Sequence, residues 1–134
     1  MGQQQLLLIV LGVIIVGIAV VVGINVFTAS STSSNRDAVI SDLTNLASMA
    51  QQFYKKPSAL GGGNNTFNTG GAGAGWTIPT QLATTPNGTY TAATAAKTVT
   101  LTGVGNQVGN DGTTPVKVTM TVDTVKIAST VINN

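Results

Sequence analysis

Apolar positions follow three rhythms along this chain. From Leu6 to Phe27 the sequence LLLIVLGVIIVGIAVVVGINVF is apolar on every side, carries no charge and holds one strongly polar side chain, Asn25. A run of about 18 or more apolar residues predicts a membrane-spanning helix, and at about 1.5 Å per residue this one would measure roughly 33 Å, enough to cross the hydrocarbon of a bilayer. It has no polar face, so it does not describe a helix lying half-buried on a soluble core. A secretory signal peptide fits poorly, because a basic start is missing and the run is much longer than an ordinary signal core.

The second rhythm is helical and one-sided. Val39, Leu43, Leu46, Ala50 and Phe53 recur three or four residues apart, with Ala47 and Tyr54 beside them. Asp37, Ser41, Asp42, Asn45, Ser48 and Gln52 take the opposite face. This predicts an amphipathic helix whose stripe packs on a sheet, with Lys55 and Lys56 at its negative end and Pro57 stopping it. Between the two helical stretches, residues 28–34 (TASSTSS) are weak helix formers, and the helix is expected to fray or turn there. Ser34, three residues before Asp37, resembles a capping box where it would resume.

The third rhythm has period two. Val99 and Leu101 share one face against Thr98, Thr100 and Thr102; Val116, Val118, Met120 and Val122 share one against Lys117, Thr119, Thr121 and Asp123. These β-branched alternations predict half-buried strands, with the Asp111-Gly112 turn signal between them. Val125 and Ile127 fall out of phase with Val122, which places a turn or bulge near Asp123-Thr124. Ser58–Gly75 reads as a glycine-rich surface loop, and Trp76–Leu82 as a short edge segment because Pro79 excludes a central strand. The pattern predicts an α+β chain: a long N-terminal helix, hydrophobic then amphipathic, packed on a small antiparallel sheet. Its parts are a hydrophobic helix (1–27), an amphipathic continuation (28–57), a loop (58–75) and a sheet domain (76–134).

Composition narrows the chemistry. Only 7% of the 134 residues are charged, against roughly 25% in ordinary soluble domains, and the net charge of +2 comes from scattered residues that leave no nucleic-acid footprint. Cys and His are both absent. The glycine-rich loop is not followed by the Lys-Ser/Thr of a phosphate cradle. Asp37 and Asp42 are five apart and do not face each other on a helix. Asp111 and Asp123 sit at a turn and a strand end, and Asp111 with Asn110 offers too few oxygens for a calcium loop. Catalytic residues, cofactors and metal sites are therefore not expected. Asn64-Asn65-Thr66 and Asn87-Gly88-Thr89 match the N-glycosylation sequon, as chance allows in a chain this rich in Asn and Thr.

Two details of the apolar run point beyond a plain anchor. Gly12, Gly17, Ala19 and Gly23 interrupt the branched residues, and small side chains let helices approach closely where lipid supplies no hydrophobic drive. Gln3, Gln4 and Gln5 abut the run, placed either to occupy free N–H groups of the first turn or to form an interfacial rim. A short polar start, Leu6-Leu7-Leu8-Ile9-Val10, a helix that turns amphipathic, a loop and a sheet together resemble a mature type IV pilin. The N-terminal motif is matched closely and the remainder as architecture.

That resemblance implies a four-stranded antiparallel sheet and a homopolymeric helical filament, an extracellular pilus for surface attachment or motility. It implies an inner-membrane subunit before assembly, served by a prepilin peptidase and assembly machinery with a cytoplasmic ATPase. It makes Met1 the residue exposed by cleavage and N-methylated, and it puts Met1, Gln3, Gln4, Gln5, Leu6, Gly12, Gly17 and Gly23 in filament assembly. Val39, Leu43, Leu46, Ala50 and Phe53 are the helix–sheet contacts. Three features depart from the family. Gln5 stands for its glutamate, Val22-Gly23 for its helix-bending proline, and the C-terminal disulfide has no cysteines. Without the proline, lost backbone hydrogen bonds are expected between Gly17 and Ser34, above all between Gly17 and Gly23. The alternatives are a type II secretion pseudopilin and a single-pass membrane-anchored surface protein.

Overall fold

A computed structural model describes residues 2–68 and 75–133, in two compact units, 1–31 and 32–134. One helix, α1, runs from Gly2 to Lys55 and contributes to both. The expected break between Gly17 and Gly23 is not there, nor is the fraying at residues 28–34. A glycine costs a helix only about 1 kcal/mol relative to alanine, and the flanking Val, Ile and Leu keep the ladder intact. The hydroxyls that would compete with the backbone are used in ways a helix tolerates. Thr28 Oγ1 donates to the Ile24 carbonyl one turn back at 3.0 Å, and Thr32 Oγ1 donates to the Val108 carbonyl at 2.8 Å. Ser34 and Asp37 lie inside the helix and start nothing.

The second unit holds five strands in the order in which they occur: β1 (Thr84–Thr85), β2 (Gly88–Thr94), β3 (Thr98–Val108), β4 (Pro115–Asp123) and β5 (Ile127–Asn133), each antiparallel to the next. The four strands implied by the pilin resemblance become five because β1, two residues long, folds back on the start of β2. The edge segment expected at Trp76–Leu82 gives way to a single helical turn, α2 (Thr80–Ala83), which Pro79 precedes as N-cap.

Alternation decides which face of the sheet meets α1. Val99 and Leu101 on β3, and Val116, Val118, Met120 and Val122 on β4, are buried between threonines and Lys117 that stay partly or fully exposed. They close on Val39, Leu43, Leu46, Ala47 and Ala50 of the helix, which are at most 2% exposed. On β3 the inward positions continue as Gly103 and Gly105. A Cβ at Gly103 would stand 2.7 Å from Val39 Cγ1, and one at Gly105 would collide with Asn35 Oδ1. Glycine there lets helix and strand approach backbone to side chain.

The turns follow their residues. Gly112 has φ 71°, and the Asp111 carboxylate accepts the backbone N–H of Thr113 and of Thr114 at 3.0 Å each. At the other end of β4, Val122 pairs with Ile127 after a register shift, and Asp123 N–H donates to the Lys126 carbonyl across the turn.

The chain between helix and sheet is less superficial than its glycines suggest. Gly63 N–H and Asn65 N–H donate to the Phe53 and Tyr54 carbonyls at 2.8 Å, closing the C-terminal end of α1. Phe67 is fully buried, its ring 4.8 Å from that of Tyr54, and its backbone N–H donates to the Ala96 carbonyl. Trp76 N–H donates in turn to the Phe67 carbonyl. Tyr54 continues the buried stripe one turn beyond Ala50. Phe53, which the spacing placed in that stripe, is half-buried and lines an open cleft of about 210 Å³ with Met49, Gln52, Lys56, Gly61 and Trp76.

Candidate assembly segment

The first unit is apolar from Leu6 to Phe27 except at Asn25. Every Leu, Ile, Val and Phe from Leu6 to Phe27 is between 53% and 72% exposed. None is covered by another part of the chain among the described residues. The helix is long and apolar enough to cross a membrane, and its most hydropathic window is 0% buried.

Gln3, Gln4 and Gln5 are exposed, and the Met1 amine lies outside the described residues. Around Gly12, Gly17 and Gly23 there is open space: a Cβ on any of them would meet nothing within 4 Å. At about 100° per residue, Gly12, Ala19 and Gly23 fall within a sector of roughly 40°, while Gly17 stands about 140° round from Gly12. The helix therefore gathers three of the four small residues on one side and sets Gly17 apart.

In the second unit the most organised polar group is a carboxylate clamp that period-two and helical patterns do not reveal. Asp42, on the edge of the buried stripe of α1, receives hydrogen bonds on Oδ2 from Tyr90 Oη at 2.6 Å, Asn87 Nδ2 at 3.0 Å and Thr85 Oγ1 at 3.1 Å. Burial raises the affinity of this carboxyl for its proton, but the bonds from Tyr90, Asn87 and Thr85 outweigh it and hold the group below the ordinary carboxylate value of 3.8. The Tyr90 phenol is pushed up to about 12, first by burial and then by donation to Asp42.

Asn35 makes a second tie, donating from Nδ2 to the Asn87 carbonyl and accepting from Gln107 N–H. Together these fasten the β1–β2 turn and β3 to the helix. A hollow of about 50 Å³ lies beside the clamp, lined by Asn45, Leu46, Leu82 and Thr85 with Asp42. One donor in the clamp, Asn87, is the acceptor residue of a sequon, and its amide nitrogen is engaged.

No family model, curated protein or solved structure matches the chain.

Other charged groups serve their surroundings. Lys97 Nζ donates to Tyr54 Oη at 3.2 Å and to the Asn65 carbonyl at 3.1 Å, pinning the connection after α1 to the start of β3. The Asp111 carboxylate is spent on its own turn. Among the described residues there is no group of three or more His, Cys, Asp or Glu side chains placed to hold a metal ion.

Two of the three buried aromatics outside α1 gave no signal in the pattern: Phe67 sits in a glycine-rich stretch and Tyr90 in a strand of threonine and alanine. The third, Trp76, is 6% exposed at the foot of the loop.

Proposed function

We propose that this chain is the repeating subunit of a helical filament of the type IV pilus kind, held in a membrane by Leu6–Phe27 before assembly and in the filament core afterwards. One observation carries the reading: a stretch of about 22 residues, apolar but for Asn25, has no cover among the described residues, while the helix's continuation is closed against a sheet. Such a surface needs lipid or other copies of itself, since each CH₂ left in water costs about 0.8 kcal/mol. Moving from lipid into a dry helix core gains little further hydrophobic energy. Assembly would then depend on close packing, favoured by Gly12, Ala19 and Gly23, and on external work from an ATPase of the kind the resemblance implies. A contact repeated head to tail without closing extends indefinitely.

The competing reading is a single-pass anchored surface protein, favoured by the same membrane-length helix. Electron microscopy of material sheared from cells separates them. A filament gives fibres of constant width with helical order and one protein band. An anchored protein stays with the membrane and leaves it only in detergent, as a monomer.

A further inference from the structure

Burying the first half of α1 creates a problem at two side chains. Gln5 opens the apolar run and Asn25 lies near its end, and both amides are exposed in the single chain. A primary amide taken into dry surroundings unpaired loses about 1–3 kcal/mol, and every other side chain from Leu6 to Phe27 is apolar. The two cannot satisfy each other within one chain. Twenty residues of helix separate them by about 30 Å along the axis and about 160° around it.

We propose that the Gln5 amide of one copy hydrogen-bonds the Asn25 amide of another copy displaced by about 30 Å along the filament, and that this pair sets the axial register of assembly. The proposal rests on the filament reading above. In a head-to-tail array neighbouring copies stand at different heights, so Asn25 does not meet Asn25. It meets whatever the displacement brings to it, and in the apolar run the amide that waits is at the far end. Each amide both donates and accepts, so one Gln5–Asn25 pair closes two hydrogen bonds.

The faces matter as much as the distance. Gln5 and Asn25 lie on nearly opposite sides of the helix, so a copy that offers Gln5 to a neighbour on one side offers Asn25 to a neighbour on the other. Such a contact uses two different patches and propagates without closing. Gln3 and Gln4 lie only about 40° and 60° from Asn25 and would not carry the contact forward. A slip of one turn toward the middle of the run would set Gln5 against Val21 and Val22 and Asn25 against Leu8 and Ile9, and in coiled coils a lone polar residue selects register in this way.

The chain has no cysteine, which makes the test clean. Filaments are assembled from a variant carrying Gln5→Cys with Asn25→Cys and exposed to mild oxidant. Their subunits should then run as a ladder of disulfide-linked oligomers. Each single variant, and Gln5→Cys paired with Ile15→Cys, should stay monomeric on the same gel. The intrachain distance is too long for a bridge, so any disulfide reports a contact between copies. Filaments of the double variant that keep free thiols would overturn the register.

If the cysteine variants do not assemble, Asn25→Gln and Asn25→Val decide. The amide-keeping variant should retain filament yield while the valine variant loses it about tenfold, and equal yields would overturn the proposal. Absence of filaments from the unaltered chain would overturn the filament reading itself, whereas filaments without the cross-link remove the register alone.

Discussion

Replacing Tyr90 with phenylalanine removes a single oxygen from a ring that is 2% exposed, and the effect should reach the whole second unit. The lost bond runs to a carboxylate at 2.6 Å. Hydrogen bonds to charged groups contribute about 1.5–3 kcal/mol, and Asp42 is half-exposed, so solvent screening sets the expectation near the low end, about 1.5 kcal/mol. Asp42→Asn keeps the shape but weakens all three bonds and should cost about 1–2 kcal/mol by the same reasoning. Because both substitutions act on the Tyr90–Asp42 bond, the double variant should be less destabilised than the sum by about 1 kcal/mol.

The assay is urea unfolding of the full chain in detergent, followed by the fluorescence of the single, buried Trp76. The acid branch has a definite sign. Asp42 titrates below its ordinary 3.8, so its contribution is complete above that value and disappears as pH falls through the lower folded one. The alkaline branch runs the other way: Tyr90 contributes fully below its ordinary 10.0 and the gain is lost as pH rises toward about 12. Tyr90→Phe should flatten the alkaline branch and shrink the acid one. A Tyr90→Phe chain within about 0.3 kcal/mol of the parent near neutral pH, or additive losses in the double variant, would refute the clamp.

Leu43→Ala empties a fully buried site between helix and sheet and should destabilise the second unit by about 2–5 kcal/mol in the same assay, with membrane insertion unchanged. Gly103→Ala puts a methyl against Val39 and the Tyr90 ring and should cost about 1–3 kcal/mol; a neutral result would mean that helix and strand separate easily there. Gly12→Leu meets open space in the single chain, so the detergent-solubilised subunit should unfold as the parent does while filament yield falls. Normal filaments from that variant would remove the argument from close helix approach.

Elements defined by a long, simple period were legible in the sequence. The Val39–Ala50 stripe and the Val99–Leu101 and Val116–Val122 alternations each rest on one face being dry and the other wet, the apolar run on having no wet face, and the turn at Asp111-Gly112 on its residue types. What escaped depends on contacts between distant residues. β1 is a two-residue fold-back, too short to have a period. Tyr90 points inward among threonines and alanines, and Phe67 is drawn into the core by Tyr54 and by its bond to Ala96. Residues 28–34 misled in the other direction, because propensity counts hydroxyls as competitors of the helix. Here Thr28 bonds backward along it and Thr32 is taken by Val108. The Asp42 clamp was hidden most deeply: on the helix Asp42 reads as a solvated acid, and its donors lie more than 40 positions away.

The hydrogen bond from Trp76 N–H to the Phe67 carbonyl ties a neck between two described residues. The neck is anchored on both sides, by Phe67 to the strand region at Ala96 and by the burial of both rings. Length added beyond a closed neck perturbs nothing below it and raises closure entropy only logarithmically, about 0.6 kcal/mol for each doubling. The sequence between Phe67 and Trp76 can therefore be lengthened, shortened or rewritten while the helix–sheet core stays fixed. It is a natural place for an engineer to insert a tag.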